Sequence, residues 1–218
     1  MSARDWHSRV SQGCAVALLA LGCSAGGAAA VDASIASPTG ETVEDVAIVL
    51  EPRGAKAPLR KARVVIEQNN REFAPYVTRV QRETAIEFPN RDPFKHHIYS
   101  FSPAKVFEVK LYQGKPAQPV TFDKVGVVVL GCNIHDWMEA HILVVDTPYF
   151  GKTGSDGLVH IDQVPAGRYT LRVWHPRQTA ALPEQEVEIG QRVVRLRLVL
   201  SVAPRPVKPH PPMPAEGY

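Results

Sequence analysis

Between residues 31 and 199, short runs of alternating apolar and polar residues are separated by Gly, Pro, Asn and Asp. Val46, Ile48 and Leu50 belong to one such run, and residues 125–130 form a nearly continuous apolar one. A period of two residues is typical of β-strands, and a short continuous apolar run suits a strand that is buried on both faces. No stretch of the sequence has the apolar spacing of a long amphipathic helix. The pattern therefore predicts an all-β protein built from many short strands.

Residues 1–30 have the pattern of an export signal. Arg4 and Arg9 precede an apolar segment at residues 13–22, and the small residues 28–30 follow it. The apolar segment is shorter than the ~20 residues that a membrane-spanning helix needs, and no later segment reaches that length. We therefore expect an exported, periplasmic protein that is cleaved near Ala30 and has no transmembrane span.

The cysteines narrow the possibilities further. Residues 20–23 resemble the cleavage box of bacterial lipoproteins, so a lipid anchor on Cys23 is the alternative form of processing. Loss of residues 1–30 removes Cys14 and Cys23 and leaves Cys132 as the single thiol. Exported proteins use cysteine mostly in pairs, as disulfides. A single exported thiol is therefore expected to be buried, paired between chains, or bound to a metal.

Cys132 begins the motif Cys132-x-x-His135-x-x-Met138, which follows the apolar run. Two further histidines, His96 and His97, lie upstream in a loop that is expected to follow a strand at Ile86–Phe88. Blue-copper sites combine two imidazoles and one thiolate with a weak axial thioether. Taken singly, each residue has an ordinary interpretation as a buried thiol, a loop histidine or a core methionine. Their order and spacing in an exported chain with one cysteine favour a metal site.

These residues resemble a known family. Residues 60–147 are similar to the cupredoxins, the group of plastocyanin, azurin and amicyanin. The resemblance is carried by Phe73-x-Pro75, by Ile86-x-Phe88-x-Asn90, and by the length of the Cys-x2-His-x2-Met loop, which is similar to that of amicyanin. Residues 94–149 resemble bacterial proteins described as methylamine utilisation or plastocyanin-like proteins.

The resemblance implies a Greek-key β-sandwich that holds one copper ion cycling between Cu(I) and Cu(II). It implies that His96, Cys132 and His135 are the equatorial ligands and that Met138 is the axial ligand. His97 stands where the family often has Asn. We expect His97 to hydrogen-bond the cysteine loop, and His97 is the alternative to His96 as the ligand.

Residues 151–176 resemble a second family, the carboxypeptidase regulatory-like sandwich, which is similar to transthyretin. Thr153, Asp156-Gly157, Val164-Pro165 and Tyr169 match its turn-rich pattern. We hypothesise that residues 34–52 and 148–200 form this sandwich together and that the cupredoxin domain is inserted into it. The proline-rich residues 201–218 are expected to form a disordered tail.

Three functions agree with these features: a periplasmic one-electron carrier, a copper storage or delivery protein, and a structural surface-binding protein. Copper oxidases and nitrite reductases of related fold need further histidine clusters, such as His-x-His pairs. The sequence contains no His-x-His pair, so we do not expect an enzyme. The basic residues are scattered, which argues against nucleic acid as a partner. The resemblance implies a redox partner protein, either a donor dehydrogenase or a cytochrome.

Overall fold

A computed structural model describes residues 28–60, 62–116 and 118–206. These residues form β-strands joined by turns and loops, and no helix occurs among them. The predicted all-β class is therefore confirmed. A search of this described part for a helix long and apolar enough to span a membrane finds none. Cys23, most of the predicted export signal and residues 207–218 of the predicted tail lie outside the described residues.

Strands from the two flanks of the chain form a sandwich of two sheets, here called the flanking sandwich. Its strands are β1 (Ala28–Ala36), β2 (Ala47–Pro52), β13 (Phe150–Lys152), β14 (Leu158–Pro165), β15 (Gly167–Trp174), β16 (Gln185–Ile189) and β17 (Val194–Val199). The first sheet has the order β14-β1-β17 and the second the order β13-β2-β15-β16. Buried aliphatic side chains such as Ile35, Ile48 and Leu171 fill the space between the two sheets.

Strands from the middle of the chain form a separate unit, here called the central sandwich. A five-stranded sheet with the order β6-β12-β11-β8-β9 faces a smaller sheet with the order β10-β7-β3. Phe88, Phe122 and Leu130 are fully buried in its own core. The strands of these two sheets are β3 (Arg63–Val65), β6 (Val77–Gln81), β7 (Thr84–Glu87), β8 (His96–Ser102), β9 (Lys105–Tyr112), β10 (Val120–Phe122), β11 (Gly126–Gly131) and β12 (Glu139–Val145). Strands β4 (Glu67–Asn69) and β5 (Glu72–Ala74) form a separate two-stranded sheet.

Strand β2 joins the two flanks of the chain. It pairs with β15 through Leu50 and Leu171, and with β13 on its other edge. The backbone N–H of Leu50 donates to the carbonyl of Tyr149 at 2.9 Å, and the Thr147 hydroxyl donates to the Leu50 carbonyl at 2.8 Å. The chain therefore leaves the flanking sandwich after β2 and returns beside it. The division of the chain into a surrounding and an inserted domain stays a prediction.

The first strand begins inside the predicted export signal. Ala28 is paired with Pro165, and Ala29 is buried. The pairing of β1 with β17 begins at Val31. Cleavage near Ala30 would thus shorten the contact of β1 with β14 and leave its contact with β17 complete.

Several strands differ from the sequence pattern. His96 and His97, expected in a loop, are the first two residues of β8. The apolar run that begins at Phe73 is divided into β5 and β6 around Pro75, which has no backbone N–H to donate to a neighbouring strand. The first residues of the predicted tail contact the folded protein, since Val202 pairs with Gln178.

Candidate metal centre

Two neighbouring strands of the central sandwich bring the upstream and downstream candidate ligands together. His96 is the first residue of β8, and Cys132 directly follows β11. These strands are antiparallel neighbours, with Gly131 paired to Tyr99. The end of β11 therefore lies beside the beginning of β8, where His96 and Cys132 are both almost completely buried.

The remaining candidate ligands lie in the loop that connects β11 to β12. Gly131 and Glu139 form the last pair of these two antiparallel strands, so residues 132–138 make a closed hairpin loop. The backbone N–H of Met138 donates to the carbonyl of His135 at 3.0 Å and tightens the loop. The sequence spacing Cys-x2-His-x2-Met thus becomes a compact turn anchored at both ends by the sheet.

Three donor atoms in this region are arranged around one point. The Sγ atom of Cys132 lies 3.9 Å from Nδ1 of His96 and 3.9 Å from Nδ1 of His135. The three donor atoms lie within 4.8 Å of one another. A metal bonded to nitrogen at ~2.0 Å and to sulfur at ~2.3 Å in a trigonal plane holds these atoms roughly 3.7 Å apart. The cluster therefore fits one metal ion with little movement of its side chains.

The electrostatics of the cluster favour the thiolate that a metal requires. Burial raises the pKa of the Cys132 thiol, but the His96 ring and the backbone N–H groups of His97 and Ile134 outweigh it, so that the pKa lies below its usual value. Burial lowers the pKa of His96, whereas Cys132 and Asp92 raise it, and the net shift is upward. The lowered pKa of Cys132 favours the thiolate, which is the form that binds a metal.

His135 has a different environment. Burial and the nearby positive charges of His96 and Arg71 lower the pKa of its imidazole. His135 is partly exposed and its ring lies near two aromatic rings, with centroid distances of 5.9 Å to Phe94 and 5.1 Å to Trp137. His135 is therefore neutral near pH 7, as a metal ligand must be, and it is the candidate ligand nearest to solvent.

The other two residues of the predicted set have distinct positions. Met138 is 2% exposed and belongs to the same buried cluster as Cys132. Its role as the axial ligand stays a prediction. The ring of His97 points away from the cluster, with Nε2 3.0 Å from Oε1 of Glu108 on β9. The geometry therefore groups His96, rather than its neighbour, with the sulfur.

Sequence analysis missed one residue of this region. Asp92 accepts a hydrogen bond from His96, with 2.7 Å between Oδ2 and Nε2. An aspartate four residues before a histidine is too common in sequences to be informative. The importance of Asp92 is evident only from the structure, in which this residue is 7% exposed and its carboxylate contacts the fully buried imidazole of His96.

The remaining histidines in the described ranges lie outside this cluster. His160 on β14 contacts Asp32 and Asp162, one with each ring nitrogen. His141 contacts Glu139, and His175 accepts a hydrogen bond from the backbone N–H of Arg177. None of them joins a second group of three candidate ligands within residues 28–60, 62–116 and 118–206.

Comparison of the sequence with known family models and with curated proteins gives no match. Comparison with solved structures finds partial likenesses.

A copper-containing nitrite reductase from Thermus scotoductus SA-01 is 27% identical over 44% of this chain and 25% of its own chain, with a TM-score of 0.36. An oxidised mutant of amicyanin is 14% identical over 38% of this chain and 81% of its own, with a TM-score of 0.35. A purple cupredoxin from Nitrosopumilus maritimus is 21% identical over 38% of this chain and 99% of its own, with a TM-score of 0.33. Because these scores are low, what the cluster can do is inferred from its own donor atoms.

Proposed function

We propose that this protein is a one-electron carrier with a single type 1 copper site in a cupredoxin domain at residues 60–147. The observation that carries the proposal is the arrangement of one thiolate and two imidazole nitrogens around a common point. Thiolate suits Cu(I) and imidazole suits both oxidation states, so this donor set holds copper in either state. Copper supplies one-electron redox chemistry when it is bound.

We assign the ligand roles as the resemblance to the cupredoxins implies them. His96, Cys132 and His135 are the equatorial ligands, and Met138 is the axial ligand. His96 and Cys132 are held by the ends of two paired strands, so their separation is set by the sheet. A site on rigid elements changes little when its charge changes, which favours fast electron transfer over release of the metal.

The surroundings of the cluster limit access by water. The rings of Phe94 and Trp137 lie close to the cluster, with Phe94 near both histidine rings and Trp137 near that of His135. His135 is the most exposed of the proposed ligands, because the other three are buried. We place the exchange of electrons with a redox partner protein, a dehydrogenase or a cytochrome, at His135.

The proposal includes the location and the wider architecture. Residues 1–30 act as an export signal and the mature protein works in the periplasm. Residues 34–52 and 148–200 form a carboxypeptidase regulatory-like scaffold around the copper domain. The pairing of β2 with β13 and β15 supports this division of the chain.

The test is the visible absorption and electron paramagnetic resonance spectra of the mature protein titrated with Cu(II), beside the Cys132→Ser variant. We expect one equivalent of Cu(II) to give an intense thiolate-to-copper band with narrow hyperfine splitting, and the variant to give neither. His160→Gln is the matched control, because His160 is exposed and lies outside the cluster. A colourless wild-type protein would contradict the proposal.

A second measurement separates a carrier from a storage or delivery protein. The copper-loaded protein is reduced and oxidised repeatedly in the presence of a Cu(I) chelator. A carrier keeps its copper and its band through the cycles. Transfer of the copper to the chelator on the first reduction would favour storage or delivery instead.

A further inference from the structure

Behind His96, on the side away from the cluster, lies a buried carboxylate with a full set of hydrogen bonds. Asp92 accepts from Nε2 of His96 at 2.7 Å. It also accepts from the backbone N–H of Asn70 at 2.7 Å and from that of Arg71 at 2.9 Å. Its own backbone N–H donates to Oδ1 of Asn90 at 2.9 Å. The carboxylate is thus fixed from three directions.

The two backbone N–H groups that donate to Asp92, in addition to His96, belong to a tight turn. Asn70 and Arg71 connect β4 to β5, and their φ angles are 55° and 58°. A two-residue hairpin turn with both residues in the left-handed region is the common type I′ turn. Asn adopts this region readily, whereas Arg does so at a cost of about 1 kcal/mol or more. The turn aims both N–H groups at Asp92.

The same turn contacts the loop that carries the other candidate ligands. The carbonyl of Arg71 accepts a hydrogen bond from Nε1 of Trp137 at 3.2 Å, and the Trp137 ring lies 5.1 Å from that of His135. The Arg71 guanidinium lies 5.4 Å from the centre of the Phe94 ring. The β4–β5 turn therefore connects the residues behind His96 with the residues beside His135.

We propose that Asp92 is a positioning residue for the metal centre. Its carboxylate holds the proton of His96 on Nε2, leaves Nδ1 free for the metal, and fixes the plane of the ring. The β4–β5 turn holds Asp92 in place and ties this support to the loop of residues 132–138. This inference rests on the proposed copper site.

The chemical consequence concerns the preference between the two oxidation states. A carboxylate that accepts the second N–H of a ligand imidazole makes the other nitrogen a stronger donor. A stronger donor with a negative charge behind it favours Cu(II) over Cu(I). Loss of such a partner weakens metal binding by about 10- to 100-fold in other sites.

The test uses Asp92→Asn, which keeps the size of the side chain and removes the charge. We expect Cu(II) affinity to fall by about 10- to 100-fold, Cu(I) affinity to fall less, and the reduction potential therefore to rise. Glu108→Gln is the matched control, because it removes a carboxylate that contacts His97 rather than His96. The proposal would be overturned if Asp92→Asn bound Cu(II) as tightly as the wild type does and also bound Cu(I) as tightly as the wild type does.

A second readout does not depend on copper. The zinc-loaded protein is diamagnetic, and zinc binds the same kinds of ligand. In the wild type we expect the Nε2–H proton of His96 to be seen by nuclear magnetic resonance and to exchange slowly with water. In Asp92→Asn it should exchange faster, and in Glu108→Gln it should not change. A wild-type proton that exchanges as fast as that of exposed His160 would overturn the proposal, even if Asp92→Asn fails to fold.

The two proposals fail in different ways. A wild-type protein without the thiolate-to-copper band contradicts the copper site, and the zinc measurement then decides the role of Asp92 alone. A wild-type protein with the band and an Asp92→Asn variant that matches it contradicts only the role of Asp92.

Discussion

The ring of Tyr99 lies against Gly131, the residue before Cys132, and occupies the space that a side chain at position 131 would need. A Cβ atom at position 131 would lie 2.7 Å from Cζ of Tyr99. Backbone pairing between the two residues fixes this contact. The glycine thus lets β8 and β11 approach closely where His96 and Cys132 meet.

Gly131→Ala is therefore expected to displace the Tyr99 ring or the end of β11. The clash involves only the far end of the half-exposed Tyr99 side chain, which can move aside. The free energy of unfolding should therefore fall by about 1 kcal/mol or less, below the roughly 1–3 kcal/mol that is typical of overpacking in a core. The copper band should also shift, because Cys132 is the next residue. Urea unfolding and the absorption spectrum measure these effects. Gly190→Ala is the control, since a Cβ there meets nothing within 4 Å, and it should change neither quantity.

The choice between His96 and His97 as the ligand can be tested by substituting each in turn. His96→Gln removes a nitrogen that lies 3.9 Å from the Cys132 sulfur, and we expect Cu(II) binding to weaken by roughly 100-fold or more with loss of the band. His97→Gln alters a ring that faces Glu108, so the band should remain. The opposite result would assign the ligand to His97.

Thr153 ties the beginning of β2 to β13. Its hydroxyl is completely buried, accepts from the backbone N–H of Val46 at 2.9 Å and donates to the carbonyl of Val43 at 2.8 Å. Thr153→Val keeps the shape and leaves both backbone groups without this partner. We expect the free energy of unfolding of the flanking sandwich to fall by about 2 kcal/mol.

Fluorescence of Trp174 during urea unfolding measures this change in a Trp137→Phe background, because Trp174 belongs to β15. Thr121→Val is the control, since Thr121 is exposed on β10. A loss of stability as large in Thr121→Val as in Thr153→Val would show that the buried hydroxyl has no special role.

His175 makes the stability depend on pH. Burial and the nearby Arg177 lower the pKa of this imidazole from 6.5 to about 4. The unfolded chain therefore binds more protons between these two values, so this stabilisation is complete above pH 6.5 and is lost as the pH falls towards 4. The expected loss is roughly 3 kcal/mol.

His175→Asn is the matched variant for this effect. The Asn carbonyl oxygen can replace Nδ1 as the acceptor for the backbone N–H of Arg177, and it does not titrate. The difference in unfolding free energy between wild type and variant should shrink or reverse from pH 7 to pH 4. A constant difference across that range would show that His175 does not cause the dependence.

Local patterns predicted the position of β11 but not its burial. Residues 125–130 were expected to be a strand buried on both faces. Strand β11 covers Gly126–Gly131, but its burial alternates, with Val128 and Leu130 buried and Val129 40% exposed. Strand β8 was missed because its sequence begins with two histidines and shows little apolar alternation. It is a strand because β9 and β11 pair with it on either side, and such distant pairing leaves little trace in a short stretch of sequence.

The candidate site shows the same limit. The spacing of Cys132, His135 and Met138 was readable because one loop holds all three. Asp92 was not readable, because its importance comes from Asn70 and Arg71, which belong to another turn. The candidate ligands of one loop form a pattern that is recognisable in the sequence. The residues that hold those ligands in place are distributed along the chain and form no such pattern.

The path of the chain through the two sandwiches also sets the order in which they can fold during synthesis. Among the residues that the structure describes, the strand pairs of the central sandwich form within residues 63–145, whereas β1 pairs with β14 and β17. Domains generally fold as units while the ribosome is still adding residues. The central sandwich therefore has every strand it needs while β1 and β2 still wait for theirs, because the partners of those two strands lie within residues 150–199.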